Sequence, residues 1–259
     1  MILASELDYL DSIRRSPLVR RLLSGALALD WAPARMVSDD PAKALGRASG
    51  RSHIWSRITR SMAKPAHEMA LISPYFVPTA HGARYFTALV DNGVEVRVLT
   101  NALEATDVVA VHAGYARWRE PLLKAGVRLY ELKRTVPRHA FRDRGWAGSS
   151  GSSLHAKTFS VDRAQVFVGS FNFDPRSASL NTEMGFVIDS PRLARGLSDG
   201  LGARLMESAY ELRLDENGRL QWLDREGEIV RVFDSEPNAG LWRRFQAFVL
   251  TLLPIEWLL

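Results

Sequence analysis

Between Met69 and Leu132 the chain alternates short apolar runs with amphipathic helical stretches, and this narrows its fold more than any other feature. Met69–Ser73, Glu95–Leu99 and Val127–Leu132 read as strands, and residues 80–91 and 109–125 between them carry helical periodicity. Leu154–Val161, Gln165–Gly169 and Glu183–Ile188 read as further strands, followed by a helix near 191–207. Strand–helix–strand alternation at this spacing predicts an α/β layered fold, a mixed central β-sheet flanked by helices.

Outside that region the pattern changes. Residues 5–29 show helical spacing interrupted by Pro17, residues 30–50 are rich in Pro, Gly and Ala and read as a loop, and a helix is expected over 52–62. Ala209–Val232 reads as hairpin strands with turns at Glu216-Asn217-Gly218 and Glu226-Gly227, before a last helix over 239–252. The expected organisation is therefore an N-terminal helical segment and linker (1–50), a catalytic domain (51–208) and a C-terminal hairpin-and-helix segment (209–259).

The 259 residues suffice for one large domain or one domain with appendages. With no cysteine, a disulfide framework and thiolate–zinc sites are excluded. A net charge of +5 favours anionic partners: phosphates, nucleic acid or acidic membranes. The longest apolar run, Phe248–Leu259, is broken by Pro254 and Glu256 and is too short to span a bilayer. With Trp242, Trp257 and Arg243-Arg244 it suits either a helix packed on the core or one lying on a membrane surface.

One stretch carries chemistry. His155-x-Lys157, then Asp162, then Gly169-Ser170-x-Asn172 spell H-x-K-x4-D-x6-G-S-x-N, and the pattern occurs once. Six specified positions arise by chance on the order of once in 10^5 such chains, so a core histidine beside an unrelated lysine is a poor account. On a strand His155 and Lys157 would share a face. An imidazole can attack phosphorus or act as general acid, and an ammonium neutralises phosphate oxygens. Ser170 and Asn172 add neutral donors for non-bridging oxygens. No zinc-ligand spacing or glycine-rich phosphate loop accompanies them, so neither metal nor cofactor is expected, and the chemistry indicated is phosphoryl or phosphatidyl transfer.

These residues resemble the HKD signature of the phospholipase D superfamily. Ile72-Ser73-Pro74-Tyr75-Phe76-Val77-Pro78 is similar to a segment of bacterial cardiolipin synthases. Thr100–Leu103, Ala105–Asp107, Val111–Tyr115, Asn172–Ser177, Asn181–Gly185 and Pro254–Leu259 are similar to their C-type branch. The resemblance implies a phospholipase D-like fold and matches the C-terminal half of such a synthase. It makes His155 the catalytic imidazole, nucleophile or general acid/base, with Lys157, Ser170 and Asn172 holding phosphate. Glu183, 28 residues beyond His155, would orient the imidazole, and Asp162 completes the motif, with a structural hydrogen-bonding role more in keeping.

The activity that the resemblance implies is cardiolipin synthesis through a phosphohistidine. The donor would be the anionic phospholipid phosphatidylglycerol and the acceptor a second phospholipid. The expected location is peripheral, on the cytoplasmic side of a bacterial inner membrane, with Tyr75, Phe76 and His112 lining the lipid entrance. The alternatives are a phosphodiesterase or nuclease of the same superfamily, or a half-chain inactive without a partner; nucleic acid is not the expected partner.

That chemistry needs two imidazoles. The other five histidines, His53, His67, His81, His112 and His139, are followed two residues on by Trp55, Met69, Ala83, Gly114 and Phe141, so none begins a second H-x-K. The second motif is expected from a missing N-terminal half or from a homodimer partner. Arg128, Lys133, Arg134, Arg138, His139, Arg142 and Arg144 form a basic run before a Gly/Ser-rich stretch at 145–153. It reads as a headgroup-docking patch or a solvated loop.

Overall fold

The computed structural model describes residues 15–27, 29–134, 154–202, 207–253 and 256. Most of the expected basic run (138–144), the Gly/Ser stretch 145–153 and Trp257 lie outside them. In chain order the elements are α1 (Pro17–Leu23), β1 (Ala34–Ser38), short 3-10 turns at Pro41–Leu45 and Gly50–Ser52, α2 (Ile54–Ser61), β2 (Glu68–Ile72), α3 (Thr79–Asp91), β3 (Glu95–Asn101), α4 (Val109–Ala116), α5 (Arg119–Lys124) and β4 (Arg128–Leu132). Then come β5 (Thr158–Val161), β6 (Gln165–Gly169), α6 (Pro175–Ser179), β7 (Met184–Ile188), α7 (Pro191–Gly200), β8 (Ala209–Leu214), β9 (Leu220–Glu226), β10 (Ile229–Phe233) and α8 (Leu241–Thr251).

All ten strands join one sheet in the order β1-β7-β6-β5-β2-β3-β4-β8-β9-β10. β2, β3 and β4 run parallel through helical crossovers, and every other pair is antiparallel, so the sheet is mixed. Alternate side chains feed two cores. Met69, Leu71, Val96, Val98, Phe159 and Phe167 pack one face with Ile54 and Ile58 of α2, Phe86 of α3 and Leu122 of α5. Ala70, Ile72, Leu99, Tyr130 and Leu132 pack the other beneath Leu197 and Leu201, at and just beyond α7. Burial on both faces explains why the central strands read as almost uninterrupted apolar runs.

The structure departs from the sequence expectations at several boundaries. Residues 30–50 are not simply a loop, because they hold β1, an edge strand with three exposed residues of five. Backbone pairing with β7 and the Arg35–Asp189 contacts at 2.7 and 3.0 Å make it a strand, not any apolar alternation. The helix expected over 109–125 is two, and Pro121, which has no amide hydrogen, sits in the first turn of the second. Pro17, by contrast, stands at the expected break: Arg15 is helical, Ser16 is not, and α1 opens on Pro17. β8–β10 continue the same sheet beyond residue 208.

Gly169 and Gly185 face each other across β6 and β7. A Cβ on Gly169 would strike the Met184 carbonyl and Gly185 Cα, and one on Gly185 would lie 2.5 Å from the Phe167 ring. The glycines thus let two backbones and an aromatic ring close together at the end of the motif strand. Gly185→Ala is expected to cost about 1–3 kcal/mol by overpacking, read as a lower midpoint in chemical denaturation.

Candidate active site

The topology gathers the motif residues at one end of the sheet. β2 and β3 end there, β5 begins there antiparallel to β2, β6 ends there, and β7 begins there opposite it. Segments 73–78, 101–108, 154–157 and 170–174 and Glu183 therefore converge. Asp162 does not join them. It lies past the opposite end of β5 in the left-handed region (φ 50°), where its carboxylate accepts the amide hydrogens of Ala66, His67 and Glu68 at 2.7–3.1 Å. It fastens the entry to β2, the structural hydrogen-bonding role more in keeping with it, and lies apart from the other motif residues.

His155 and Lys157 precede β5 and are not paired within it, because regular pairing starts at Thr158. The Lys157 carbonyl still accepts from Gly169 N at 3.1 Å, extending the β5–β6 ladder by one step. Just upstream, the buried Asn101 side chain grips Leu154, accepting from its amide at 2.9 Å and donating to its carbonyl at 3.4 Å. The chain is thus anchored on both sides of His155, whose ring is exposed and bonds no described residue. Lys157 is half-buried, and its ammonium donates to the His155 carbonyl at 3.2 Å. Burial pulls the Lys157 pKa below the ordinary lysine value against the opposing pull of Glu183, Asp174 and Asp107.

Ser177 ties the remaining motif residues together. Its hydroxyl donates to Glu183 Oε1 at 2.9 Å and accepts from Asn172 N at 3.3 Å, while its amide donates to Asp174 Oδ1 at 2.7 Å. Its carbonyl accepts from Lys43 Nζ at 2.8 Å. The Ser170 hydroxyl donates closely to Glu183 Oε2. Both Glu183 oxygens are thus held by serines, and the expected contact between Glu183 and the His155 ring is not made. Ser170 correspondingly spends its proton inside the protein. Asn172 Oδ1 is buried without a partner, an orphan that folded proteins rarely tolerate unless a site needs it.

Two contributions, those of Asp39 and of Asp174 with Ser177, were not read as functional in the sequence. Asp39 accepts from Lys43 Nζ and Glu183 N, both at 2.8 Å, and from Ile54 N at 2.7 Å. No local pattern marks it, since it looks like a turn residue beside Asp40-Pro41. Asp174-Pro175-x-Ser177 does carry a helix-start signature, and Asp174 caps α6 as that spacing implies. Tyr75 donates to Asp107 at 2.8 Å, and burial together with that bond pushes its phenol up to about 12. Phe76 and His112 are buried. The ring of Phe76 packs against Phe86, Tyr115 and Phe173, and His112 lies in an ion network with Glu236 (3.1 Å) and Arg119 (2.6 Å). Neither lines an entrance.

Residues 58–202 match the family described as cardiolipin synthase, PLD-like domain. This chain belongs to that family. Cardiolipin synthase C of Escherichia coli (strain K12) is 47% identical over 252 residues, covering 97% of this chain and 53% of that protein. Cardiolipin synthase A of Edwardsiella ictaluri (strain 93-146) is 27% identical over 160 residues, 61% of this chain and 27% of that protein. The PLD-like chain therefore spans about half the length of the first relative and about a quarter of the second. Among solved structures, Nuc from Salmonella typhimurium, a phospholipase D family member, is similar with TM-score 0.48 and 16% identity, over 71% of this chain and 99% of its own.

The PLD-like site rests on the Asp39–Lys43 pair, whose side chains are almost wholly buried. Lys43→Met is expected to destabilise the chain by about 3–5 kcal/mol, since it strands the Asp39 carboxylate. Denaturant titration of the variant against wild type measures this, and a change below about 1 kcal/mol would remove the pair from its central place.

Proposed function

We propose that this chain supplies one half of a phosphatidyl-transfer site that makes cardiolipin from phosphatidylglycerol and a second phospholipid. The observation that carries the proposal is His155, an exposed imidazole that bonds no described residue and is anchored on both sides at the end of the sheet where Lys157, Ser170 and Asn172 also lie. One imidazole attacks phosphorus, forming an N–P bond as the P–O bond to the leaving alcohol breaks. The other gives that alcohol its proton. It then takes the proton of the acceptor hydroxyl, whose oxygen displaces the histidine. Lys157 balances charge on the non-bridging oxygens, and Asn172, whose side-chain amide nitrogen donates to no described residue, turns to them.

His155 takes one of the two roles, and the second H-x-K comes from another copy of this chain or from another polypeptide. In either arrangement the partner histidine closes on the exposed His155 face, and Glu183, already tethered by Ser170 and Ser177, lies ready to orient the ring. The enzyme works peripherally, at the cytoplasmic face of the bacterial inner membrane. Among the described residues no helix is long and apolar enough to cross a membrane.

Incubation with labelled phosphatidylglycerol tests the reading. Cardiolipin should form in the assembled enzyme, and His155→Ala should cut its formation by at least about 10^3-fold. Cleavage of single-stranded DNA with no lipid product would replace transfer by a phosphodiesterase reaction. Full turnover by a monodisperse monomer would remove the half-site.

Lys157 gives a pH test. Its ammonium is fully charged below the lowered pKa and is lost as pH rises through it, so phosphate binding weakens at a lower alkaline pH than for an ordinary lysine. Lys157→Arg should keep the charge and shift the alkaline fall of kcat/KM to higher pH, whatever it does to the maximum. An unmoved alkaline limb would take Lys157 out of the phosphate site.

A further inference from the structure

Helix α8 presents its sides in an unusual sense. Leu241 (83% exposed), Trp242 (69%), Phe245 (55%), Phe248 (63%) and Leu252 (69%), at or just beyond the helix end, recur at spacings of one to four residues and form an outward apolar row. The Trp242 and Phe245 rings stack at 5.7 Å, so the row is continuous at its start. The two arginines of α8 face the protein. Arg243 donates to the carbonyl of Leu103 at 2.7 Å and closely to that of Thr106, and Arg244 donates to the Glu236 carbonyl at 2.6 Å. Ala247 packs into a small core with Leu103 and Ala239. The arginines hold the helix on and the aromatics are left in water, the reverse of a helix that packs its apolar face on a core.

Five large apolar side chains in one row make a patch on the order of the several hundred Å² that monomeric proteins rarely expose without use. We propose that this face of α8 docks the enzyme on an anionic phospholipid bilayer. Two observations select a bilayer over a protein partner. No Asp or Glu occurs from Pro237 to Leu253, and Glu236 just before them is neutralised by Arg119 at 2.6 Å, so nothing along the row repels an anionic surface while the chain as a whole carries +5. The row also lies at the site end of the sheet. Arg243 ties α8 to the carbonyls of Leu103 and Thr106, directly before Asp107, whose charge is felt by Lys157. α8 is thus fixed to the segment that follows β3, at the end of the sheet where β5 begins, so a bilayer held against α8 is met by the same end of the domain as the motif residues. The choice of a lipid surface rests on the phosphatidyl-transfer function proposed for the His155 site.

Flotation of the 259-residue chain with phosphatidylcholine vesicles, with and without about a third phosphatidylglycerol, tests the docking. Wild type should float with the phosphatidylglycerol vesicles and bind the neutral ones several-fold less. Trp242→Ser/Phe248→Ser replaces only exposed groups, so its thermal midpoint should stay near wild type while vesicle affinity falls at least tenfold. Equal binding by the double variant, or no binding by wild type, overturns the proposal. So does unaltered vesicle binding with loss of a dimer in sedimentation, which would assign the row to a second copy. His155→Ala should float like wild type. If wild type floats while the assembled wild-type enzyme turns over no lipid, docking stands and the transfer reading fails; if it turns over lipid but the Trp242→Ser/Phe248→Ser variant floats equally well, the transfer reading stands and docking by α8 fails.

Discussion

Asp39 and Lys43 meet at 2.8 Å with their side chains withdrawn from solvent, and the reactive end of the molecule is organised around that contact. Asp39 reaches Ile54 N at the start of α2 and Glu183 N at the start of β7, while Lys43 reaches the Ser177 carbonyl. Two stretches far apart in sequence, 39–54 and 177–183, are thus fixed to one buried ion pair. Burying two charges is costly, and each must be saturated with hydrogen bonds for the arrangement to hold. Asp39 accepts from one ammonium and two amides, which offsets that cost and sets where Glu183 stands. Geometry at the site is then inherited from packing, with little left to side-chain freedom.

The sheet also separates two tasks that the motif runs together in sequence. Asp162 lies only seven residues after His155, yet β5 carries it to the opposite end, where it closes the entry to β2. Glu183 lies 28 residues after His155, and the β6–β7 hairpin returns it to the same end. Spacing along the chain therefore says little about proximity until strand directions are known. The motif carries one fold-securing carboxylate, Asp162, and one group, Lys157, Ser170 and Asn172, that gathers with His155 at the other end of the sheet.

The legible and illegible parts of the sequence divide along the same physics. β2, β3 and β4 are buried on both faces, so their apolar runs are nearly unbroken and their positions were legible within a residue or two. β1 was not, because an edge strand with Ala34, Arg35 and Met36 exposed is held by main-chain bonds and Arg35, which leave no periodic trace. The α4–α5 break was hidden because Trp118 and Pro121 sit at a junction where apolar spacing continues on either side. At the site, His155, Lys157, Ser170 and Asn172 were legible as residue types at fixed spacing. Their use was less so: the Ser170 hydroxyl is turned to Glu183, and Asp39, an acid in an apparent turn, became functional only through contacts more than a hundred residues away.

The unfinished features of the site share one direction. The imidazole of His155 is exposed and bonds no described residue, Asn172 Oδ1 is buried without a bond among the described residues, and Lys157 keeps an ammonium under partial burial that three carboxylates only partly offset. Each is unfavourable in isolation. An anion arriving from outside the sheet end relieves His155 and Lys157, and a proton donor that comes with it, or with the second half of the site, relieves the Asn172 carbonyl. The histidine engaged by a phosphodiester would then need the carboxylate that Ser170 and Ser177 keep in place. Stability is low at these motif groups and concentrated one layer below, in Asp39, Lys43 and Ser177. Under the half-site proposed above, that division would let a rigid domain meet its second imidazole without reorganising.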